Sequence, residues 1–263
     1  EMSASLVGSE MCIRDRITLE QSKLTLSKDI TVLSFSDSSM VDRNSSIIKV
    51  DSGWIVYSKN SESSILSFTS DGQFSGYIGH RGNGPGEYTS VYDVVVNQKS
   101  KVLEVLSDGG IFCYTFGGDF LDKKEVTYPA FSFAIDDRQN YWFYVGNNTT
   151  YGDAKMICTD ENIANVAYYL HQKSNMLPMV ENNFGRNGEW LTFHESLNHD
   201  LYTIENGKLD LSYAMDFPNY KLPKKLHELS GMEVIEELQR SNYASIINLS
   251  LIHISEPTRL ALI

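Results

Sequence analysis

The sequence predicts an all-β protein, a β-propeller of which four blades are present, and three observations predict it. A short apolar strand followed by a turn rich in Asp, Asn or Gly recurs four times along the chain. The apolar residue that opens the strand after each turn recurs at spacings of 46, 43 and 46 residues, at Phe74, Phe120, Ile163 and Leu209. Propeller blades repeat about every 40–50 residues. The runs between these turns are also too short for helices and rich in β-branched and aromatic residues.

The repeats place the blades at about 45–90, 91–128, 131–172 and 183–217, within a partial propeller at 17–249. The pairs Asp71-Gly72 and Asn206-Gly207 supply the positive φ that a tight hairpin needs. Near-continuous apolar runs upstream of the turns indicate inner strands that are covered on both faces. These runs are Ile47–Val50, Trp54–Tyr57, Asp93–Val96, Val102–Leu106, Phe131–Ile135, Tyr141–Val145 and Trp190–Phe193. Gly76–Gly79 and Ala167–Leu170 are interpreted as outer strands, which gives four antiparallel strands to a blade.

One segment, at 222–240, departs from the strand pattern. Its apolar residues recur at the spacing of an amphipathic helix, and Gly231 interrupts them. These apolar residues are Leu226, Leu229, Val234, Ile235 and Leu238. We interpret the segment as a short helical insertion between blades, packed on a rim.

The two ends of the chain are interpreted as foreign to the protein. A single short DNA, read on its two strands, encodes both Leu6–Arg14 and Ser250–Arg259. Such a sequence is typical of an adapter attached to both ends of a library fragment, and it is set aside from fold reasoning. We therefore expect residues 1–16 and 250–263 to be adapter-derived and the chain to be a truncated fragment.

Composition limits the classes of partner. The formal net charge of −12 repels a phosphate backbone, so nucleic acid is excluded as a partner. Cys113 and Cys158 lie in apolar strand patterns, which favours buried free thiols over a disulfide. No run approaches the ~18 apolar residues of a membrane helix.

The loop from His80 to Tyr88 allows two interpretations. In the favoured one it is structural: Gly82, Gly84 and Gly86 permit a tight crossing, Pro85 stiffens it, and Glu87 accepts hydrogen bonds from backbone amides. In the other, His80, Arg81 and Glu87 project into a ligand pocket on the face where blades are joined.

The stretch Tyr77–Tyr88 strongly resembles the Gly-x-Gly-Pro-Gly-Glu-Tyr loop of a bacterial six-bladed β-propeller family, mostly lipoproteins of unknown function. Phe68–Phe74 is similar to that family's blade hairpin, and Ile30–Phe35 looks like its opening strand. The resemblance implies six blades, export, and a lipid anchor in the periplasm or outer membrane of a Gram-negative bacterium. The lipid-attachment cysteine and the last blades are absent from the chain, so any membrane contact would be through an anchor that it lacks.

Two functions are consistent with these features. The preferred one is a cell-envelope binding or scaffold protein for a glycan, a peptide or a protein partner. The alternative is a metal-dependent lyase or lactonase with a site in the central channel, which rests on fold analogy alone. No catalytic or metal-binding residue is assigned and no cofactor is expected; carboxylates near the channel leave calcium open without support from a motif. Enzymatic activity is undecided, with the balance against it.

Overall fold

The structure is a computed structural model that describes residues 31–34, 45–59, 64–147, 152–171, 182–187, 190–217, 221–229 and 232–240. Within these residues the fold is a β-propeller, as predicted, with four four-stranded antiparallel blades and one short α-helix near the C-terminus. In each blade the strands pair in chain order. The chain divides into two compact units, 29–172 and 173–263 with 1–28, and each is described by itself.

The unit 29–172 contains the first three blades. Blade 1 consists of β1 (Ser46–Val50), β2 (Gly53–Tyr57), β3 (Ile65–Thr69) and β4 (Phe74–Ile78). Blade 2 consists of β5 (Asp93–Asn97), β6 (Val102–Ser107), β7 (Gly110–Tyr114) and β8 (Phe120–Lys124). Blade 3 consists of β9 (Ser132–Ile135), β10 (Tyr141–Tyr144), β11 (Ala154–Thr159) and β12 (Ala167–His171).

Blade 2 is covered on both faces, which explains its near-continuous apolar strands. Leu103 and Val105 pack in one cluster with Ile55 of blade 1, whereas Leu106 and Phe133 belong to a second cluster shared with blade 3. Strand β7 is buried throughout, while the outer strand β8 is largely exposed. Face-to-face packing of successive sheets is therefore the source of the core in this unit.

The segment 31–34 contacts blade 1 at the turn between β3 and β4. The Ser34 amide donates to the Gly72 carbonyl at 2.8 Å, and Ser34 forms a single parallel bridge with Gln73. Leu33 packs against Val56 and Leu66. Only this part of the opening strand implied for Ile30–Phe35 lies within the described residues.

The other unit contains blade 4 and the helical segment. Blade 4 consists of β13 (Phe184–Asn187), β14 (Trp190–Phe193), β15 (Asp200–Glu205) and β16 (Lys208–Ala214). A 3₁₀ turn spans Lys224–His227 and helix α1 spans Met232–Arg240, so the predicted helical segment is confirmed in two pieces. Gly231, where the interruption was predicted, lies outside the described residues.

Helix α1 is amphipathic and packs on the β14–β15 hairpin. Val234 forms a small core with Leu226 and with Leu197 of that hairpin. Charged residues lie on the exposed side of the helix. Lys225 Nζ of the 3₁₀ turn lies 2.7 Å from Glu237 Oε1 of the helix. Burial of one apolar face is what holds so short a helix, because an isolated helix of this length is marginal in water.

Cys113 and Cys158 are free and buried, as predicted. None of the helices in the described ranges is long and apolar enough to cross a membrane.

Candidate functional site

Two loops lie at the same end of blade 2. One is the connection from blade 1 to blade 2, and the other is the β6–β7 turn. Strand β5 runs away from the connection 79–92, and β6 returns antiparallel to it, so the β6–β7 turn at Asp108 and Gly109 comes back to the same end. We call this the loop end; it also includes Lys59, which follows β2.

The glycine-rich part of the connection is a closed loop. The Tyr88 amide donates to the His80 carbonyl at 3.1 Å, and the Gly82 amide donates to the Tyr88 carbonyl at 3.1 Å. Gly86 has φ +74°, and a Cβ there would lie 2.6 Å from Cγ of Phe120. The backbone conformation and the contact with blade 2 both require glycine at this position.

Two buried tyrosines hold the loop in place. Tyr88 is fully buried; its hydroxyl donates to the Ile78 carbonyl at 3.2 Å and accepts from the Ile65 amide at 3.3 Å. The Tyr114 hydroxyl donates to the Gly86 carbonyl at 2.9 Å. Burial raises the pKa of both phenols, so both remain protonated donors. The loop is thereby fixed to blade 1 and to blade 2.

Glu87 turns into its own loop. Its Oε2 accepts from the Gly84 amide at 2.8 Å, and a Cβ on Gly82 would lie 1.9 Å from the same oxygen. The carboxylate therefore occupies the space that the glycines leave, and a side chain at Gly82 would displace it.

His80 and Arg81 are exposed on the loop. Nε and Nη2 of Arg81 donate to the Thr89 carbonyl at 3.1 and 2.9 Å. Nη1 remains with two N–H groups, and no oxygen of the described residues accepts from them. Of the three residues predicted to bind a ligand, the structure thus exposes two and folds the third inward.

Beside Arg81, three hydroxyl groups converge on one carboxylate. Thr89 Oγ1 and Ser90 Oγ donate to Asp108 Oδ2 at 2.7 and 2.9 Å, and the Tyr92 hydroxyl donates to Oδ1 at 2.5 Å. The Tyr92 bond, followed by those of Thr89 and Ser90, lowers the pKa of Asp108 below its ordinary 3.8. We call Arg81, Thr89, Ser90, Tyr92 and Asp108 the Asp108 array; it is linked from end to end by hydrogen bonds.

A buried ion pair lies at the same end. Lys59 Nζ is 2.9 Å from Asp93 Oδ1, with side-chain exposures of 9% and 8%. Asp93 Oδ2 accepts from the Phe133 amide at 3.1 Å. One carboxylate therefore joins blades 1, 2 and 3. Burial, followed by the negative charge of Asp93, raises the pKa of the adjacent Tyr57.

A second buried carboxylate lies between blades 2 and 3. Glu104 accepts from the Tyr141 hydroxyl at 3.0 and 2.8 Å and from Asn97 Nδ2 at 3.0 Å. Lys124 Nζ lies 3.7 Å from Glu104 and donates to the Tyr141 hydroxyl. Glu104 is 1% exposed and these bonds satisfy its carboxylate inside the interface, so we interpret Glu104 as structural.

Sequence reasoning missed Lys59, Asp93 and Asp108. One signal was present: Ser58-Lys59 and Ser107-Asp108 occupy equivalent positions at the ends of the second strands of successive blades, and Lys59 and Asp108 have opposite charges. The ion pair of Lys59 and the hydrogen bonds of Asp108 could not be inferred from residue spacing in the sequence, because their partners lie on other elements. In the part of the chain that the structure describes, no three His, Cys, Asp or Glu side chains are grouped as metal ligands.

The family described as "Domain of unknown function (DUF4934)" matches residues 13–253. The chain belongs to this family. A search among curated proteins gave no match to this DUF4934 chain.

One solved structure among those compared shows the same fold. A Bacteroides fragilis protein whose name describes it as exported is 15% identical, with 82% of this chain and 64% of that chain covered and a TM-score of 0.70. The DUF4934 chain thus spans less than two thirds of that relative. A Bacteroides vulgatus member of the DUF4221 family is 11% identical, with coverages of 74% and 64% and a TM-score of 0.48. An extracellular domain named for a hybrid two-component system of Bacteroides thetaiotaomicron is 14% identical, with coverages of 67% and 30% and a TM-score of 0.34. The last two TM-scores are too low to carry an argument.

Proposed function

We propose that this chain is part of an exported, cell-envelope β-propeller that binds a ligand at the loop end of blades 1 and 2. The observation that carries the proposal is Arg81: its guanidinium is exposed, yet two hydrogen bonds to the Thr89 carbonyl fix its position. A polar group held in place before binding loses little conformational freedom when a ligand arrives.

The cellular setting rests on two supports. The Bacteroides fragilis relative bears a name that describes it as exported. The Gly82–Tyr88 loop resembles that of the lipoprotein family, from which six blades and a lipid anchor in a Gram-negative envelope are proposed for the whole protein. Fractionation of cells that carry the complete gene tests this setting. We expect the protein in the envelope fraction, and recovery with cytoplasmic markers would contradict it.

The ligand classes proposed are a glycan, a peptide or a protein partner. The net charge of −12 argues against nucleic acid. We do not propose the metal-dependent enzyme, because no observation among the described residues favours it.

A thermal-shift screen against oligosaccharides and peptides tests binding at this end. A ligand at 100 times its Kd stabilises a protein by about 2.7 kcal/mol, which corresponds to about 5–11 °C in Tm for a domain of this size. Arg81→Ala should lose the shift, and Lys99→Ala, an exposed cation in the β5–β6 turn at the opposite end of blade 2, should retain it. The proposal fails if no member of the panel raises the Tm, or if both variants lose the shift equally.

A further inference from the structure

We infer that the loop end binds a neutral saccharide and that the Asp108 array is the group that recognises its hydroxyls. The inference rests on the proposed function, because it names the ligand class for the same end of the blades. The observation that supports the inference is the direction in which the Asp108 carboxylate orients the three hydroxyl groups around it.

Asp108 fixes the proton of every hydroxyl in the array. The hydroxyls of Thr89, Ser90 and Tyr92 all donate to its carboxylate, and a hydroxyl has one proton and two acceptor lone pairs. Their protons are therefore committed to that carboxylate, and lone pairs remain as acceptors, one of the Thr89 hydroxyl being within 3.5 Å of Ser107 Oγ. The lowered pKa of Asp108 keeps the carboxylate ionised at neutral pH, so this orientation is stable.

Arg81 supplies the complementary donors beside these acceptors. Its Nε and Nη2 are bound to the carbonyl of Thr89, and the Thr89 hydroxyl is bound to Asp108, so donor and acceptors are parts of one connected array. A ligand that fits must both donate and accept at neighbouring atoms. Vicinal hydroxyls of a sugar do so, since each hydroxyl is at once donor and acceptor. The ring of Tyr92 packs partly against the core shared with blade 3, and its exposed part adds an apolar surface for the C–H face of a sugar.

Charge and backbone geometry narrow the class further. An ionised, exposed Asp108 on a chain of net charge −12 disfavours phosphates, uronates and acidic peptides. An extended peptide is commonly bound as an added strand on a sheet edge, whereas the Asp108 array consists of loop side chains. A neutral glycan incurs neither disadvantage.

The test is titration calorimetry of the full chain with neutral oligosaccharides (cellohexaose, mannohexaose, xylohexaose and chitohexaose). Octagalacturonate and a mixed peptide library serve as comparators. Asp108→Asn removes the ionised acceptor that orients three hydroxyls, and Tyr92→Phe removes one hydroxyl while keeping the ring. The matched control is Asp122→Asn, an exposed acid on β8 of the same blade. Circular dichroism establishes that each variant is folded.

We expect at least one neutral oligosaccharide to bind, with the affinity lowered about tenfold or more by Asp108→Asn, several-fold by Tyr92→Phe, and unchanged by Asp122→Asn. If no neutral oligosaccharide binds, or if the Asp108 and Asp122 variants bind alike, the inference is overturned. If Asp108→Asn does not fold, Tyr92→Phe decides on the same criterion. Binding of a comparator alone, lost in Arg81→Ala, would overturn the inference of a neutral saccharide and leave the proposed function standing. No binding in any arm would overturn both.

Discussion

Asp93 joins three blades of the unit 29–172, and its replacement by alanine should destabilise that unit strongly. The side chain is nine-tenths buried, lies 2.9 Å from the equally buried ammonium of Lys59, and accepts from the Phe133 amide. Removal of one partner from a buried ion pair costs about 3–5 kcal/mol. The Phe133 N–H also loses its acceptor, a cost of about 1–3 kcal/mol that overlaps with the first.

We therefore expect Asp93→Ala to lower the free energy of unfolding by about 3–5 kcal/mol, or the Tm by about 6–20 °C. Urea unfolding followed by circular dichroism measures the change. Asp122→Ala, an exposed acid on the outer strand of blade 2, is the control and should stay within about 0.5 kcal/mol of the parent protein.

A double variant separates charge from connection. Asp93→Asn retains an oxygen for the Phe133 amide but removes the one that accepts from the Val94 amide at 3.0 Å, and Lys59→Met removes the buried ammonium. Because loss of both charges also removes their desolvation cost, the double variant should recover to within about 1–3 kcal/mol of the parent, the remainder being the lost acceptor. The reasoning is refuted if Asp93→Ala costs less than about 1 kcal/mol, or if the double variant is as unstable as the sum of its two single changes.

Three further predictions concern other parts of the same unit. Gly86→Ala should lower the free energy of unfolding by about 2–4 kcal/mol, because φ is +74° and the new Cβ would meet the Phe120 ring. Gly152→Ala, at φ +71° with open space around it, should lower it by only about 1–2 kcal/mol. Equal losses of stability in urea unfolding would contradict the steric argument. Burial raises the pKa of the Cys113 and Cys158 thiols to about 12. In a variant with Cys12 replaced by serine, neither thiol should react with an aromatic disulfide reagent at pH 8 until urea is added. Rapid labelling of the native protein would contradict their burial. The pKa of Asp108 in the folded protein lies below the ordinary 3.8, so the carboxylate contributes fully to stability above pH 3.8, and this contribution is lost as the pH falls through the folded pKa. The stability difference between the parent and Asp108→Asn should therefore shrink between pH 6 and pH 3. A constant difference would contradict the assignment.

The architecture was predictable because each blade is a local unit. Turn pairs such as Asp71-Gly72 mark the hairpins, and the apolar runs around them predict strands. Cover on both faces is confirmed for β2 and β3 but not for every such run, because Ile47 on β1 is 59% exposed and Trp190 on β14 is 43% exposed. The helical segment was predictable for the same reason, since its apolar spacing has a period of its own. Local pattern carries this information because hairpin and helix geometry depend on neighbouring residues.

The candidate site was predictable only in part. The glycine-rich loop could be recognised, and the sequence placed His80 and Arg81 on it, but the partners of the charged residues could not be inferred. Thr89 and Asp108 are 19 residues apart, and Phe133 is 40 residues from Asp93. These contacts depend on how successive blades pack and on where a strand end falls within its sheet. Neither the packing of successive blades nor the position of a strand end has a local signature in the sequence.

The central claim is that the loop end of blades 1 and 2 is the binding face, and amide hydrogen exchange tests it most directly. The exchange would be measured with and without the ligand that gives the largest thermal shift. The account predicts slower exchange on binding at residues 79–92 and 107–110, where Arg81 and Asp108 lie. Protection confined to the turns at the opposite end of the blades, 98–101 and 136–140, would contradict it.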